Sequence, residues 1–176
     1  MGLNSYQNKY PIPNYEAWSE DAKYGLRIPS QILQKMLNFC QEAKDIETGG
    51  IMVGYYSHKH DCAIVIDCSG PPKDSKRGKN FFNRGIHGLQ KWIDKLWRLG
   101  QRRYYLGEWH FHPFAAPEPS IVDISQIKEN AENNLYRCPE PIMFILGGSP
   151  DEDWTCRSFV YARKAGLIEL KKRLEN

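Results

Sequence analysis

Two apolar segments separated by five polar residues constrain the fold most. The runs ETGGIMVGYY (residues 47–56) and CAIVIDCS (residues 62–69) are both apolar segments of strand length. The connecting SHKHD is short enough to form a hairpin turn. The chain is therefore predicted to contain an antiparallel strand pair near its middle.

Strands and helices alternate irregularly along the rest of the chain. Further strands are predicted at residues 24–28, 81–82, 104–112, 141–148 and 156–163. Helices are predicted from Ser30, as N-cap, to Ala43; at residues 86–99, with Trp92 and Trp97 in the core; at residues 120–134; and in the lysine-rich segment from Leu167 onward. This order predicts an α/β fold with a central mixed sheet flanked by helices.

One domain is expected from the chain length of 176 residues. We place it at residues 22–176. Residues 1–21 are polar and carry Pro11 and Pro13, so they are predicted to form a loosely structured N-terminal extension.

Composition excludes several classes of protein. With 41% hydrophobic and 26% charged residues, neither disorder nor a membrane protein is indicated. The N-terminus lacks a signal-peptide core, and no uncharged apolar run approaches the ~20 residues that span a bilayer, so we expect a cytoplasmic protein without a membrane partner. The net charge of +3 does not argue for nucleic acid. Five cysteines without a C-x-x-C pair are expected to be reduced and mostly buried.

Two histidines one residue apart mark the segment GEWHFHPFAAPEPSIVD (residues 107–123). Alternate side chains of a strand face the same side, so His110 and His112 would present two imidazoles that one small cation can bridge. Trp109 and Phe111 would face the opposite layer. Histidines on strands are also often only solvated or hydrogen-bonded, so this pair alone does not establish a metal site.

Asp123 is predicted to supply a third ligand. It follows His112 after a loop stiffened by Pro113, Pro117 and Pro119. Two imidazole nitrogens and a carboxylate oxygen, with a fourth position left open, form the pattern of a catalytic zinc site.

Ser120 has two interpretations. S-x-x-D at residues 120–123 matches a helix capping box, with Asp in place of the usual Glu. A serine at the mouth of a zinc site could also donate a hydrogen bond to the oxyanion formed when water attacks a carbonyl.

Hydrolysis at such a site also needs a base. Glu47 lies at the start of the ETGG segment, whose glycines allow the backbone to pass close to another part of the molecule.

Glu47 together with H-x-H-x7-S-x2-D at His110, His112, Ser120 and Asp123 resembles the motif of the JAMM, or MPN-plus, metalloproteases of the JAB domain superfamily. The resemblance covers roughly residues 22–163. It implies a cytidine-deaminase-like JAB/MPN fold and one catalytic Zn²⁺ bound by the two histidines and the aspartate. It also implies that Glu47 acts as general base and acid and that Ser120 stabilises the tetrahedral intermediate.

The flanking segments YYLGEWHFHP, PEPSIVD and CPEPIMFILGG are similar to bacterial JAB proteins encoded beside E1-like and E2-like proteins. That group includes the deconjugating peptidase of CBASS antiphage operons. The resemblance implies a zinc isopeptidase that cuts the bond between the C-terminus of a conjugated protein and its target amine. The conjugated protein would be a cyclic-nucleotide synthase (CD-NTase) or a ubiquitin-like protein, and the enzyme would reverse E1/E2-type conjugation in antiviral defence.

Three alternatives remain at this point. A JAB peptidase could instead trim a sulfur-carrier or ubiquitin-like protein to expose its C-terminus. A JAB scaffold without catalysis is disfavoured because every motif position is present. A DNA-repair-associated RadC-like protein is disfavoured because the short N-terminal segment cannot hold the helix-hairpin-helix elements of that group.

Further residues are candidates near the site. Glu108 lies two residues before His110 and would share its face of the strand, where it could orient a histidine or simply be solvated. The basic loop from Lys73 to Arg84 could grip a substrate tail, with Lys76, Arg77, Phe81 and Phe82 as candidate contacts, or be a solvated face. His58 and His60 lie in the predicted hairpin turn, and we expect them on the surface.

Overall fold

The computed structural model describes residues 12–98 and 103–173. In that part of the chain, ten strands and three helices follow one another. They are β1 (Tyr15–Trp18), β2 (Gly25–Ile28), α1 (Ser30–Ala43), β3 (Thr48–Tyr56), β4 (Cys62–Cys68), β5 (Lys76–Gly78), β6 (Phe81–Asn83), α2 (Leu89–Arg98), β7 (Tyr104–Pro113), α3 (Ile121–Glu132), β8 (Ile142–Gly148), β9 (Trp154–Ala162) and β10 (Gly166–Lys172).

Eight of the strands form one mixed sheet in the order β1-β10-β9-β8-β7-β3-β4-β2. Because β1 pairs with both β2 and β10, the ring of strand pairings closes. The pairs β2–β4 and β7–β8 are parallel, and the other pairs are antiparallel. β5 and β6 form a separate two-stranded hairpin. The predicted α/β fold with a central mixed sheet is confirmed, as is the antiparallel β3–β4 hairpin.

The main core lies between α1 and the strands. The buried face of α1, formed by Ile32, Leu33, Met36, Leu37 and Cys40, belongs to the same apolar cluster as Trp109 and Phe144. Fully burying a side chain of this size contributes roughly 1.5–3 kcal/mol relative to leaving it exposed. The position of β7 between β8 and β3 is therefore stabilised by its inward-facing residues.

Three sequence-based expectations are wrong. Within the predicted extension of residues 1–21, Tyr15–Trp18 form β1; residues 1–11 lie outside the described chain. The segment from Leu167 belongs to strand β10 and not to a helix, because it pairs with β9 and β1. Ser30 is the first residue of α1, and Pro29 occupies the N-cap position without a side-chain hydrogen bond.

Helix α2 also differs from its prediction. It begins at Leu89, and none of its residues is buried, although Trp92 packs against a small cluster around Ile51 and Tyr105. Trp97 is 50% exposed, so its predicted place in the core is wrong. Leu99, at the predicted end of this helix, lies outside the described residues.

All five cysteines are free, and four of them are buried, as expected for reduced thiols. Among the described residues, no helix combines the length and the apolar character needed to cross a membrane.

Candidate metal centre

Strand β7 carries two of the candidate ligands. Trp109 and Phe111 point into the core, where both are almost completely buried. The indole N–H of Trp109 donates to the carbonyl of Ser69 at 2.8 Å, which fixes that ring. Because side chains alternate along a strand, His110 and His112 face the opposite side, as the sequence predicts.

The N-terminus of α3 brings Asp123 to the same place. Ser120 caps this helix: its hydroxyl accepts from the Asp123 N–H at 3.1 Å, and the Asp123 carboxylate accepts from the Ser120 N–H at 2.8 Å. The capping box predicted from S-x-x-D is thus present, and it holds the carboxylate at the start of the helix.

The loop between β7 and α3 packs closely on β8. The Phe114 N–H donates to the Gly148 carbonyl at 3.0 Å. A Cβ at Gly147 would lie 2.4 Å from the Ala115 carbonyl oxygen, so only glycine leaves room for the loop there. Arg157 on β9 pairs with Glu118 of the loop. These contacts fix the path from His112 to Asp123.

His110, His112 and Asp123 converge. One ligand atom from each lies within 4.8 Å of the other two. His110 Nδ1 is 2.8 Å from Asp123 Oδ1, and His112 Nε2 is 3.7 Å from Asp123 Oδ2. Two imidazoles and one carboxylate are a donor set suited to zinc, and their mutual proximity means that these residues fit such an ion.

Charge and burial shift the pKa values of His110 and Asp123 in opposite directions. Burial alone would lower the pKa of His110, but the Asp123 and Glu108 carboxylates outweigh it and raise the value to about 9. Burial would raise the pKa of Asp123, but the bonds from His110 and Ser120 hold it well below its usual range. The carboxylate is therefore held in the ionised form that a metal requires.

Glu47 lies at the edge of the same cleft, just before β3. Its N–H donates to the Gly78 carbonyl at 2.9 Å. A Cβ at Gly49 would lie 2.3 Å from the Trp109 carbonyl oxygen, so β3 approaches β7 as closely as the ETGG glycines predict. Burial and the charge of Asp123 raise the pKa of Glu47 to about 7. A carboxyl group of this pKa is suited to exchange protons near neutral pH.

A cleft of about 760 Å³ is lined by Glu47, His112, Ser120 and Asp123. His112, Ser120 and Asp123 form one side of it with the β7–α3 loop, and Glu47 and the tip of the β5–β6 hairpin form another. Phe81 is 55% exposed, whereas Phe82 is 7% exposed and sets its ring edge-on to His110 with centroids 5.6 Å apart.

Two candidate substrate contacts lie elsewhere. Lys76 and Arg77 do not line this cleft. Lys76 is exposed, and the Arg77 guanidinium donates to the Thr48 hydroxyl at 3.2 Å. The structure therefore brings Phe81 and Phe82 to the site but not these two basic residues.

A buried polar group lies behind His110. Glu108 is 4% exposed and accepts from Asn130 at 2.7 Å and from Tyr105 at 3.2 Å. Arg84 lies 2.8 Å from its Oε1 atom. The sequence predicts Glu108 on the metal face and Arg84 in a basic loop, and it gives no indication of Asn130 or Tyr105 as their partners. Arg84 lies two residues after Phe82, and this strand-like alternation is the feature of the sequence that could have indicated an inward Arg84 side chain.

The second H-x-H pair is not part of a metal-ligand cluster in the described part of the chain. His58 and His60 are exposed in the β3–β4 turn, as predicted. In the described part of the chain, His110, His112 and Asp123 are the residues that meet the geometric requirement for a metal site.

Sequence comparisons identify the family. Residues 29–159 match the model described as prokaryotic homologs of the JAB domain. A protein named CD-NTase/cGAS isopeptidase from Enterobacter hormaechei is 36% identical over 170 residues, which cover 97% of this chain and 93% of the relative. A probable metalloprotease, y4qB, from Sinorhizobium fredii is 30% identical over 146 residues, which cover 81% of this chain and 88% of the relative. The chain belongs to the prokaryotic JAB-domain family, which confirms the resemblance seen in its motif.

A solved structure supports the fold. The solution structure of protein DSY2949 from Desulfitobacterium hafniense matches with a TM-score of 0.59 at 20% identity, covering 83% of this chain and 90% of that chain.

Proposed function

We propose that this protein is a zinc-dependent isopeptidase that hydrolyses the bond after the C-terminus of a conjugated protein. The conjugated protein would be a CD-NTase or a ubiquitin-like protein, and the reaction would reverse E1/E2-type conjugation in CBASS defence. The observation that carries the proposal is the convergence of His110, His112 and Asp123 beside a cleft that His112, Asp123 and Glu47 line. The relatives named CD-NTase/cGAS isopeptidase support this substrate class.

His110, His112 and Asp123 would hold the metal. A bound zinc ion supplies Lewis acidity, which polarises a carbonyl and makes a water molecule easier to deprotonate. The protein supplies the rest: the α3 capping box orients Asp123, and the core packing of Trp109 and Phe111 orients the strand that carries both histidines.

Glu47 would move the protons. With a pKa of about 7, its carboxylate takes the proton of the attacking water and then delivers it to the leaving amine. The cleft leaves room beside Glu47 for the scissile bond, because Phe81 and the β7–α3 loop stand on either side.

Ser120 has a more constrained role than its motif implies. Its hydroxyl donates to Asp123 Oδ2 at 2.7 Å while it accepts from the Asp123 N–H. To donate to an oxyanion, this hydroxyl must leave its bond to the carboxylate. Both functions are compatible, because the capping bond uses an oxygen lone pair and the oxyanion would use the proton.

The test is cleavage of a CD-NTase C-terminal tail joined through an amide bond to a reporter. We expect cutting after the last residue of the tail by the wild type, and none by Glu47→Ala or by His110→Ala. His58→Ala is the matched control, because it removes a histidine from the other H-x-H pair and should cut normally.

Two outcomes would contradict parts of the proposal. If the wild type binds one zinc ion per chain but cuts only Gly-Gly sulfur-carrier or ubiquitin-like tails, the CD-NTase substrate is wrong and the chemistry stands. If the protein binds no zinc after zinc is added back, the catalytic assignment is wrong and a scaffold is favoured.

A further inference from the structure

We propose that Arg84 is a positioning residue that links the β5–β6 hairpin to the metal ligand His110 through Glu108. This inference rests on the proposed function of the same site. It assigns the hairpin two tasks, contact with the substrate on its outer face and support of a ligand on its inner face.

The hairpin residues alternate in burial. Phe81 and Asn83 are exposed, whereas Phe82 and Arg84 are 7% and 8% exposed. Since alternate residues of a strand face opposite sides, Phe81 and Asn83 lie on the outer face of the hairpin, and Phe82 and Arg84 lie on the face toward β7. Phe82 contacts the His110 ring, and Arg84 reaches behind it.

Glu108 connects Arg84 to His110. The Arg84 Nη2 atom is 2.8 Å from Glu108 Oε1, and the Glu108 Oε2 atom is 3.6 Å from His110 Nε2. His110 turns its other nitrogen, Nδ1, toward Asp123 at 2.8 Å. The ring thus has one nitrogen on the ligand side and the other on the Glu108 side. At 3.6 Å the carboxylate is too far for a hydrogen bond, so Glu108 acts on the ring through its charge, from the side opposite the ligands.

The arrangement is built around a buried charge. The Arg84 and Glu108 side chains are 3% and 5% exposed. Glu108 Oε1 also accepts from Asn130 and Tyr105, and Arg84 Nη2 donates to the Tyr136 hydroxyl at 2.9 Å. In the part of the chain that the structure describes, Arg84 Nε and His110 Nε2 are the buried side-chain atoms without a hydrogen-bond partner. Both belong to this group.

A buried guanidinium next to a buried carboxylate is weak evidence for stability, because two apolar residues often fill such a space as well. Its effect here is geometric. Without Arg84, Glu108 Oε1 would keep its hydrogen bonds from Asn130 and Tyr105 but lose its charged partner, so the carboxylate would be held less firmly beside the His110 ring.

The experiment measures zinc affinity with a competing chelator in folded wild type, Arg84→Gln, Arg84→Lys and Glu108→Gln. We expect Arg84→Gln and Glu108→Gln to bind zinc 10- to 100-fold more weakly, with Arg84→Lys partly restoring affinity. The Arg84→Gln plus Glu108→Gln double variant should be no worse than either single variant, because both act through one contact.

Val160→Ala is the matched control for general loss of stability. It truncates a core residue of β9 that is 1% exposed and that belongs to a different apolar cluster from Tyr105 and Tyr136. We expect it to lower the melting temperature without changing zinc affinity. If Arg84→Gln is folded and binds zinc as the wild type does, Arg84 is only structural and the inference is wrong.

Arg84→Gln could fail to fold. The Arg84→Gln plus Glu108→Gln double variant then provides the test, since it removes both charges and leaves neither buried without its partner. Zinc affinity unchanged in the folded double variant would overturn the proposal. Failure of the proposed function has a different signature, because in that case the wild type itself would not bind zinc or would cut no conjugate.

Discussion

The Ser120 hydroxyl and the Asp123 carboxylate lie 2.7 Å apart, at a helix start that is also the edge of the candidate metal site. The same two residues form the capping box of α3. Helix capping and ligand placement therefore depend on a single pair of side chains, and substitutions at Ser120 can separate the two effects.

Ser120→Ala should lower the free energy of unfolding by about 1 kcal/mol, the typical value of a lost N-cap. Turnover should fall by roughly 10²- to 10³-fold if the hydroxyl also stabilises the oxyanion. Ser120→Gly is the informative comparison, because glycine at an N-cap costs only about a few tenths of a kcal/mol and has no side-chain donor for an oxyanion. Chemical denaturation and steady-state kinetics measure both effects, and normal turnover in Ser120→Gly would leave capping as the sole role.

Glu47→Gln should keep zinc affinity and lose turnover. The substitution preserves shape and removes the group that exchanges protons, so we expect a fall of about 10²- to 10⁴-fold in kcat. Zinc content by metal analysis and single-turnover cleavage provide the measurement. Wild-type turnover in this variant would require another base.

Removal of zinc should destabilise the protein as well as inactivate it. A ligand that binds only the folded state stabilises it by about 2.7 kcal/mol when present at 100 times its Kd. We therefore expect a chelator to lower the melting temperature of the wild type and zinc to restore it. His112→Ala should not respond to zinc, whereas His60→Ala, in the exposed pair, should respond as the wild type does. Equal responses in the two variants would exclude His112 as a ligand.

Phe81→Ala should raise KM more than it lowers kcat. Phe81 is half exposed on the cleft wall and contacts no candidate ligand among the described contacts, so its loss should affect substrate binding. Lys76→Ala should raise KM less, because Lys76 lies outside the cleft lining. Steady-state kinetics on a tail substrate compare KM in the two variants. A larger increase in Lys76→Ala would support the substrate contact predicted for the basic loop from the sequence.

The sequence predicted the candidate site better than the periphery of the fold. H-x-H on a strand and S-x-x-D at a helix start are local patterns, because strand alternation and capping are decided within a few residues. Arg84 could not be identified in this way. Its partner Glu108 is 24 residues away, and only the packing of the hairpin on β7 shows that this basic residue is buried.

The errors at the two ends of the domain have one physical cause. Tyr15–Trp18 and Gly166–Lys172 become strands because they pair with each other and with β2 and β9. Such pairing joins distant parts of the chain and leaves little trace in local propensity.

The error at α2 has a different cause. Its sequence has a clear apolar stripe, which predicts a helix face buried in the core. The stripe covers only a small outer cluster, so Trp97 stays half exposed.

β1 has a practical consequence for anyone who shortens this chain. A protein starting at residue 22, the boundary that the sequence suggests, would lack β1 and leave β2 and β10 as open edges with unpaired backbone groups. Such edges recruit strands from neighbouring molecules, so this shortened protein should aggregate in light-scattering measurements, whereas one starting at residue 12 should stay monodisperse. The short strand that resembles a tail in the sequence is the one that keeps the sheet from adding another molecule.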